Sequence, residues 1–379
     1  MKFNINRDVF SDAVSFAVKL LPQRTTLPIL TGVRIEANEN SVTLSTFDYE
    51  VSARTSISAE VTEPGVILVS GRLLNDIANK LPQSVVVIED DEASVKISCG
   101  SARFSLLKMP IEEYPTVPAV EGHTGLVRGS DFSEAIAQVA VAASREDVTP
   151  VITGVQLEAS EQTLSFTATD RYRVSVRGID WDSGNTSALS ALVPARTIAE
   201  VGKTFGHAET IEITMSEPGD RQQIAFSAAD KTVTSLLIKG NFPPVGRLFP
   251  ASVEHYAVLN TADLVEATRR VQLVLEREAA LRFTFSEGQV TLEAIGSEQA
   301  QANETLDCVL NGEEIVLSIK PQFLLDGLGA THSEFVRVSF TKTENTNKPG
   351  PMLITGQTSR DSTEPTDFKY LLQPNLLLR

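Results

Sequence analysis

Internal repetition constrains this chain more than any other feature. The segment PILTGVRIEA (Pro28–Ala37) returns 122 positions later as PVITGVQLEA (Pro150–Ala159), with six of ten residues identical. The residues before it repeat in the same register, Phe10-Ser11-Asp12-Ala13 against Phe132-Ser133-Glu134-Ala135. Further on, Asp48-Tyr49-Glu50-Val51-Ser52 is answered by Asp170-Arg171-Tyr172-Arg173-Val174-Ser175, which reads as one residue longer. Val69-Ser70-Gly71-Arg72 is answered by Val193-Pro194-Ala195-Arg196, and the two units close alike at Tyr114-Pro115 and Phe242-Pro243. A fainter third copy places Leu264-Val265-Glu266-Ala267 where Phe10–Ala13 stand, and Lys320–Gly329 where Gly71–Lys80 stand. A period this long exceeds the 20–50 residues of solenoid repeats, so each copy is a whole domain. Proline-rich stretches at 109–125 and 242–255 separate them. The reading is three domains, 1–120, 126–250 and 251–379.

Each copy mixes two hydrophobic periods. Phe10, Ala13, Val14, Ala17 and Leu21 make one apolar helix face, which predicts a helix over 7–24. Asp131 or Ser130 would cap the matching helix of the second copy, and Thr261 that of the third. A second, shorter helix is predicted over Gly71–Leu81 and at the matching positions 194–204 and 320–329. Short alternating runs such as VTLSTF, SVKISC, ARFSLL and LRFTFSE follow, with turn signals at Glu287-Gly288 and Asn311-Gly312. Two helices laid on antiparallel sheet make an α+β domain.

Enzymatic chemistry finds no foothold. The histidines at 123, 207, 255 and 332 fall in four separate contexts, with no metal-ligand spacing. No nucleophile elbow, zinc-protease motif or glycine-rich phosphate loop is present. Glu89-Asp90-Asp91-Glu92 reads as a solvated hairpin tip. Cys99 and Cys308, 209 residues apart, read as reduced core thiols, which points to the cytoplasm. No run approaches a membrane span, and the N-terminus lacks the apolar core of a signal peptide. No cofactor is implied.

Charge narrows the remaining choices. The chain carries a net charge of −16, so its surface as a whole repels nucleic acid. Yet the predicted helices sum to +2 over 83 residues, leaving −18 on the other 296. A basic surplus confined to helices suits sequence-blind phosphate contact on one face.

LPILTGV (27–33), FDYEVSA (47–53), ILVSGRLLNDI (67–77), ATDRYRVSV (168–176), FPPVGRLFP (242–250) and YLLQPNLL (370–377), in this order, resemble the bacterial replicative sliding clamps over essentially the whole chain. These are the DNA polymerase III beta subunits, and the likeness is to the high-GC Gram-positive branch. The resemblance implies three tandem clamp domains closing head to tail as a homodimeric ring around duplex DNA, a processivity factor without catalysis. Implied protein partners are the DNA polymerase III alpha subunit, the clamp loader, other DNA polymerases, ligase and repair proteins, through a short linear motif. Matching the family's groove to this chain selects Ile152, Thr169, Arg171, Tyr172, Arg173 and Val174 from the second copy. Pro243, Arg247 and Leu248 follow from the linker, and Leu371, Leu372, Gln373, Pro374 and Asn375 from the C-terminus. Leu371, Leu372, Ile152, Val174 and Leu248 are expected to line the pocket, with Arg173 and Arg247 at its edge. Arg24, Arg72, Lys80, Arg145, Arg196 and Lys203 are expected to face DNA, and Phe104, Leu106 and Leu273 to form the dimer contact. The family commonly has Met at Gln373, and Met or Val then Arg at Asn375 and Leu376. This departure leaves open a specialised second clamp with altered partner or inhibitor binding. A triplicated ligand-binding module is the competing non-enzymatic reading.

Overall fold

The computed structural model describes the chain except residues 23–24, 118, 147, 184–189, 217–220, 277–278, 296–299, 342–348, 363–365 and 377–379. Six α-helices follow the repeat: α1 Arg7–Val18, α2 Gly71–Ala78, α3 Gly129–Val139, α4 Ala195–Phe205, α5 Thr261–Val271 and α6 Pro321–Ala330. Each first helix is shorter than its apolar periodicity suggests. α1 stops at Val18, four residues before Pro22, whose ring and missing N–H oppose continuation. The caps also shift by one residue. Asn6 caps α1, accepting from the backbone N–H groups of Asp8 and Val9, and Asn260 rather than Thr261 caps α5, accepting from that of Asp263. α3 begins at Gly129, so Ser130 and Asp131 belong to its first turn.

The strands do not stop at the repeat boundaries. The chain divides into two compact units, one of residues 1–133, 181–189 and 200–237, the other of residues 134–180, 190–199 and 238–379. The first holds a five-stranded sheet in the order Glu60–Glu63, Lys2–Asn6, Val85–Asp90, Ser94–Cys99, Ala102–Leu107. It also holds an eight-stranded sheet: Gly122–Arg128, Thr210–Ser216, Gln223–Ala228, Lys231–Leu236, Val51–Ser58, Ser41–Phe47, Gly32–Asn38, Gly65–Ser70. Lys231–Leu236 of the second repeat thus pairs antiparallel with Val51–Ser58 of the first, and this pairing is the first seam. Phe3, Phe10, Val14, Ile35, Leu44, Ile67, Leu74 and Ile97 form one continuous core in this unit.

The second unit repeats the device. Its nine-stranded sheet runs Ser190–Pro194, Gly154–Ala159, Thr163–Thr169, Arg173–Asp180, Lys369–Leu372, Met352–Gln357, Phe335–Phe340, Tyr256–Asn260, Val309–Asn311. Arg173–Asp180 of the second repeat pairs with Lys369–Leu372 of the third, the second seam. A four-stranded sheet of Gln301–Asp307, Gln289–Ile295, Leu281–Ser286 and Ile315–Ile319 completes the unit. Because both long sheets continue from one repeat into the next, the compact units cross the boundaries read from the sequence.

Cys99 and Cys308 are free and buried, and burial pushes the Cys308 thiol up to about 11. Among the described residues no group of His, Cys, Asp or Glu could hold a metal ion, and no helix is long and apolar enough to cross a membrane.

Candidate functional site

The second seam begins at a turn held by one carboxylate. Asp170 Oδ1 accepts from the backbone N–H groups of Tyr172 at 3.0 Å and Arg173 at 3.1 Å. This leaves Arg171 at φ 80°, a left-handed conformation that a short polar acceptor makes tolerable. The Asp48 turn is built identically: Asp48 Oδ1 accepts from Glu50 and Val51, with Tyr49 at φ 74°. Phe47 pairs with Ser52 as Thr169 pairs with Val174, so the offset stays at 122 and the second turn is not one residue longer. The apparent insertion arises from aligning Val51-Ser52 with Val174-Ser175 by identity; the hydrogen bonds place Val51 opposite Arg173.

Strand alternation then sorts the expected groove residues onto two faces. Val174 pairs with Leu371, which pairs with Leu353, giving an apolar line across three strands. Val245 joins Val174 and Leu371 in one buried cluster, with Phe242, Phe249, Val176 and Leu353 packed around it. Arg173 pairs with Leu372, which pairs with Met352, on the other face. Leu372 is 1% exposed there, on the opposite face from Leu371, and Arg173 is enclosed rather than at a rim. The linker makes a short 3₁₀ turn, Val245–Leu248, whose Val245 N–H donates to the Pro243 carbonyl at 2.8 Å. That turn sends Val245 inward and leaves Leu248 48% exposed, so the inward anchor is Val245. Pro243 is half-buried and Arg247 exposed. Sequence reasoning missed Val245, Phe242, Phe249 and Leu353; the apolar spacing Phe242, Val245, Phe249 in the linker was the available signal.

On the Arg173 face lies a cleft of about 500 Å³, lined by Ile152, Arg171, Tyr172 and Arg173 together with Arg145, Lys320 and Phe323 among others. Tyr172 is 62% exposed and stacks on Phe323. Arg145, expected toward DNA, is exposed beside this cleft. Thr169 is buried, its hydroxyl donating to the Arg173 carbonyl at 2.7 Å. At the C-terminus the Gln373 N–H donates to the Tyr172 carbonyl, and its side-chain amide donates to the carbonyls of Pro349 and Pro374 at 3.0 and 3.3 Å. Pro374 is buried, and the Asn375 N–H donates to the Ser318 carbonyl at 2.7 Å.

The other expected residues fall as follows. Arg72 and Arg196 are exposed on α2 and α4, and Lys80 lies exposed just past α2; Arg24 lies outside the described residues. Lys203 Nζ donates to Glu200 Oε1 at 2.9 Å, while Lys19 Nζ lies 3.6 Å from Glu200 Oε2 and donates to Thr204. Lys19, which sequence selection passed over, thus shares one carboxylate with the expected Lys203. Phe104 is 37% exposed and Leu273 81% exposed, but Leu106 is 3% exposed inside the core of its own unit. The strand Ala102–Leu107 turns Leu106 inward, and the apolar side chains exposed at this edge are Phe104 and, more fully, Leu107.

Three successive segments of the chain match the domains of the DNA polymerase III beta subunit: the N-terminal domain over residues 1–118, the central domain over 127–244 and the C-terminal domain over 246–364. The chain belongs to this family. Its function is that of a DNA sliding clamp, built from three tandem clamp domains of helices and antiparallel sheet. It is 40% identical over 376 residues to the beta sliding clamp of Streptomyces coelicolor, covering 99% of each chain. It is 45% identical over 311 residues to that of Micrococcus luteus, covering 82% of this chain and all of the other. Among solved structures, a sliding clamp from Pseudomonas aeruginosa bound to griselimycin superposes with a TM-score of 0.90 at 26% identity, with full coverage of both chains.

Proposed function

We propose that two copies of this chain close head to tail into a ring around duplex DNA. The exposed cations of the helix layer would hold the phosphates weakly, and partner proteins would dock over the Val174–Leu371–Leu353 line. There Val174 and Leu371 form the floor, 4% and 3% exposed, and the partly exposed Leu353, Val176, Phe242 and Phe249 form the rim. The observation that carries the ring is the pair of unlike exposed leucines. Leu107 stands 80% exposed on the edge strand of the five-stranded sheet, and Leu273 stands 81% exposed just after α5. A closed two-chain ring needs two different surfaces that complement each other, and non-identical first and third repeats supply them. Retention on DNA then comes from closure, so phosphate contacts can stay weak enough to slide.

Sedimentation tests this reading. The chain is expected at twice its 41.0 kDa mass at micromolar concentration, and Leu273→Glu as a monomer with unchanged helix content. A parent monomer would favour the ligand-binding module, and a dimeric Leu273→Glu would displace the interface from this position.

A further inference from the structure

The Arg173 guanidinium joins the turn before the second seam to α6. Its Nε donates to Asp170 Oδ2 at 2.9 Å, and the other oxygen of that carboxylate holds the turn N–H groups. Its Nη1 donates to Asp326 Oδ2 on α6 and to the Tyr370 hydroxyl at 3.1 Å. Tyr370 is fully buried and its hydroxyl donates a hydrogen bond to the Phe323 carbonyl at 2.8 Å; burial pushes its phenol up, so it stays a neutral donor. The guanidinium lies over the Phe323 ring, 4.6 Å from its centre. Gly327 lets the helix come this close, since a Cβ there would stand 2.6 Å from the Tyr370 ring.

The turn does not need this network in order to form. The Asp48 turn has the same hydrogen bonds and the same positive φ with Val51 in the place of Arg173. We therefore propose that Asp326 and Tyr370 are positioning residues for partner binding. They act through Arg173 to fix the backbone from which Tyr172 and Val174 project, although the docking line lies on the opposite face of the sheet. The proposal rests on the reading of that line as the docking groove. Neither residue belongs to the Val174–Leu371–Leu353 line. Removing the Asp326 charge leaves the guanidinium held by Asp170 alone on its acidic side, and Val174 then shifts relative to Leu371.

A fluorescent peptide with Leu and Phe anchors, titrated by anisotropy, tests both levels. Asp326→Asn is expected to weaken binding by about tenfold, the loss that follows from breaking a charged hydrogen bond. Asp326→Glu is expected to recover most of that loss. In an Arg173→Met background, Asp326→Asn should have no further effect, which a general loss of stability would not reproduce. Parent-like binding by Asp326→Asn, alongside loss of binding in Val174→Asp or Leu371→Ser, overturns the positioning role and leaves the groove standing. An equal additional loss in the Arg173→Met background also overturns it. Parent-like binding by both Val174→Asp and Leu371→Ser removes the groove and the positioning role together.

Discussion

The two seams share one backbone and differ in what they expose. At the first, the Leu236 N–H donates to the Glu50 carbonyl at 2.8 Å; at the second, the Gln373 N–H donates to the Tyr172 carbonyl at 2.9 Å. Glu50 and Tyr172 are 122 positions apart, so the strand joint is the same object made twice. Across the first seam Ser52 faces Thr234, and across the second Val174 faces Leu371. Next in line stand Phe47 at the first seam and Thr169 at the second. Phe47 is 7% exposed, packs its ring against Tyr49, and gives its N–H to the buried Tyr114 hydroxyl at 2.7 Å. Burial pushes that phenol up to about 12, so it remains an uncharged acceptor at neutral pH. Where the first seam carries two aromatic rings, the second carries Thr169 and Arg171, and its linker ring, Phe242, has no hydroxyl to anchor. Sheet continuity is thus common to both seams, while the side chains that each presents differ.

The sharpest way to break this comparison is a charge in the apolar line. Burying a Leu or Phe anchor against Val174 and Leu371 contributes about 1.5–3 kcal/mol each before ordering costs. Val174→Asp replaces that surface with a carboxylate that must be desolvated, and peptide affinity should fall more than about a hundredfold. The dimer should persist, because the exposed leucines assigned to it lie elsewhere. Anisotropy and sedimentation on the same sample check both halves; unchanged peptide affinity would remove the second seam as the docking site.

A smaller effect should come from Gln373, whose counterpart at the first seam is Leu236. Its amide is not stranded, since both Pro349 and Pro374 carbonyls accept from it. Moving the side chain aside for a peptide breaks those bonds, at a net cost of about 1 kcal/mol. Gln373→Met removes the tether while keeping length, and should tighten the same peptide by about fivefold in calorimetry. Weaker binding by the Met variant would mean that the amide contributes to the peptide complex itself.

Much of the fold was legible because repetition is a long-range signal. The apolar stripe of Phe10, Ala13, Val14 and Ala17 located α1, and the same positions located α3 and α5. The pairing of Val51–Ser58 with Lys231–Leu236 was not legible, since no local pattern says which edge strand of one repeat meets which strand of the next. The proposed groove was legible only as a set of positions. Alternation along Arg173-Val174 and Leu371-Leu372 decides which members face together, and that requires the register. Leu106 misled for a related reason: apolar alternation in ARFSLL marks the inward face as readily as an interface, and here Leu107 is the residue left outside.

The smallest expected effect concerns the helices behind the seams. In the first unit Phe16 and Phe205 approach to 6.2 Å between ring centres; at the matching positions of the second, Gln138 Nε2 donates to the Ala330 carbonyl at 2.9 Å. Around the aromatic pair lie Lys19, Lys203 and, between them, Glu200, whose carboxyl is held below its usual range by the hydrogen bond from Lys203. Around the amide lie Glu134 and His332, 3.4 Å apart. Only the first arrangement gives one carboxylate two lysines. If a DNA phosphate reaches Lys19 or Lys203, it competes with Glu200 for the charge of their ammonium groups. Glu200→Gln removes the carboxylate charge beside both ammonium groups while preserving shape, so duplex affinity should rise by about two- to fivefold, in keeping with the small worth of exposed ion pairs. The dependence of log affinity on log salt should steepen by about 0.9 for each phosphate newly engaged. Anisotropy of a labelled duplex across a potassium chloride series reads both quantities. A steeper slope without a change of sequence preference fits sliding on phosphates; an unchanged slope would mean that Lys19 and Lys203 do not meet the duplex, and that Glu200 serves only to join α1 to α4.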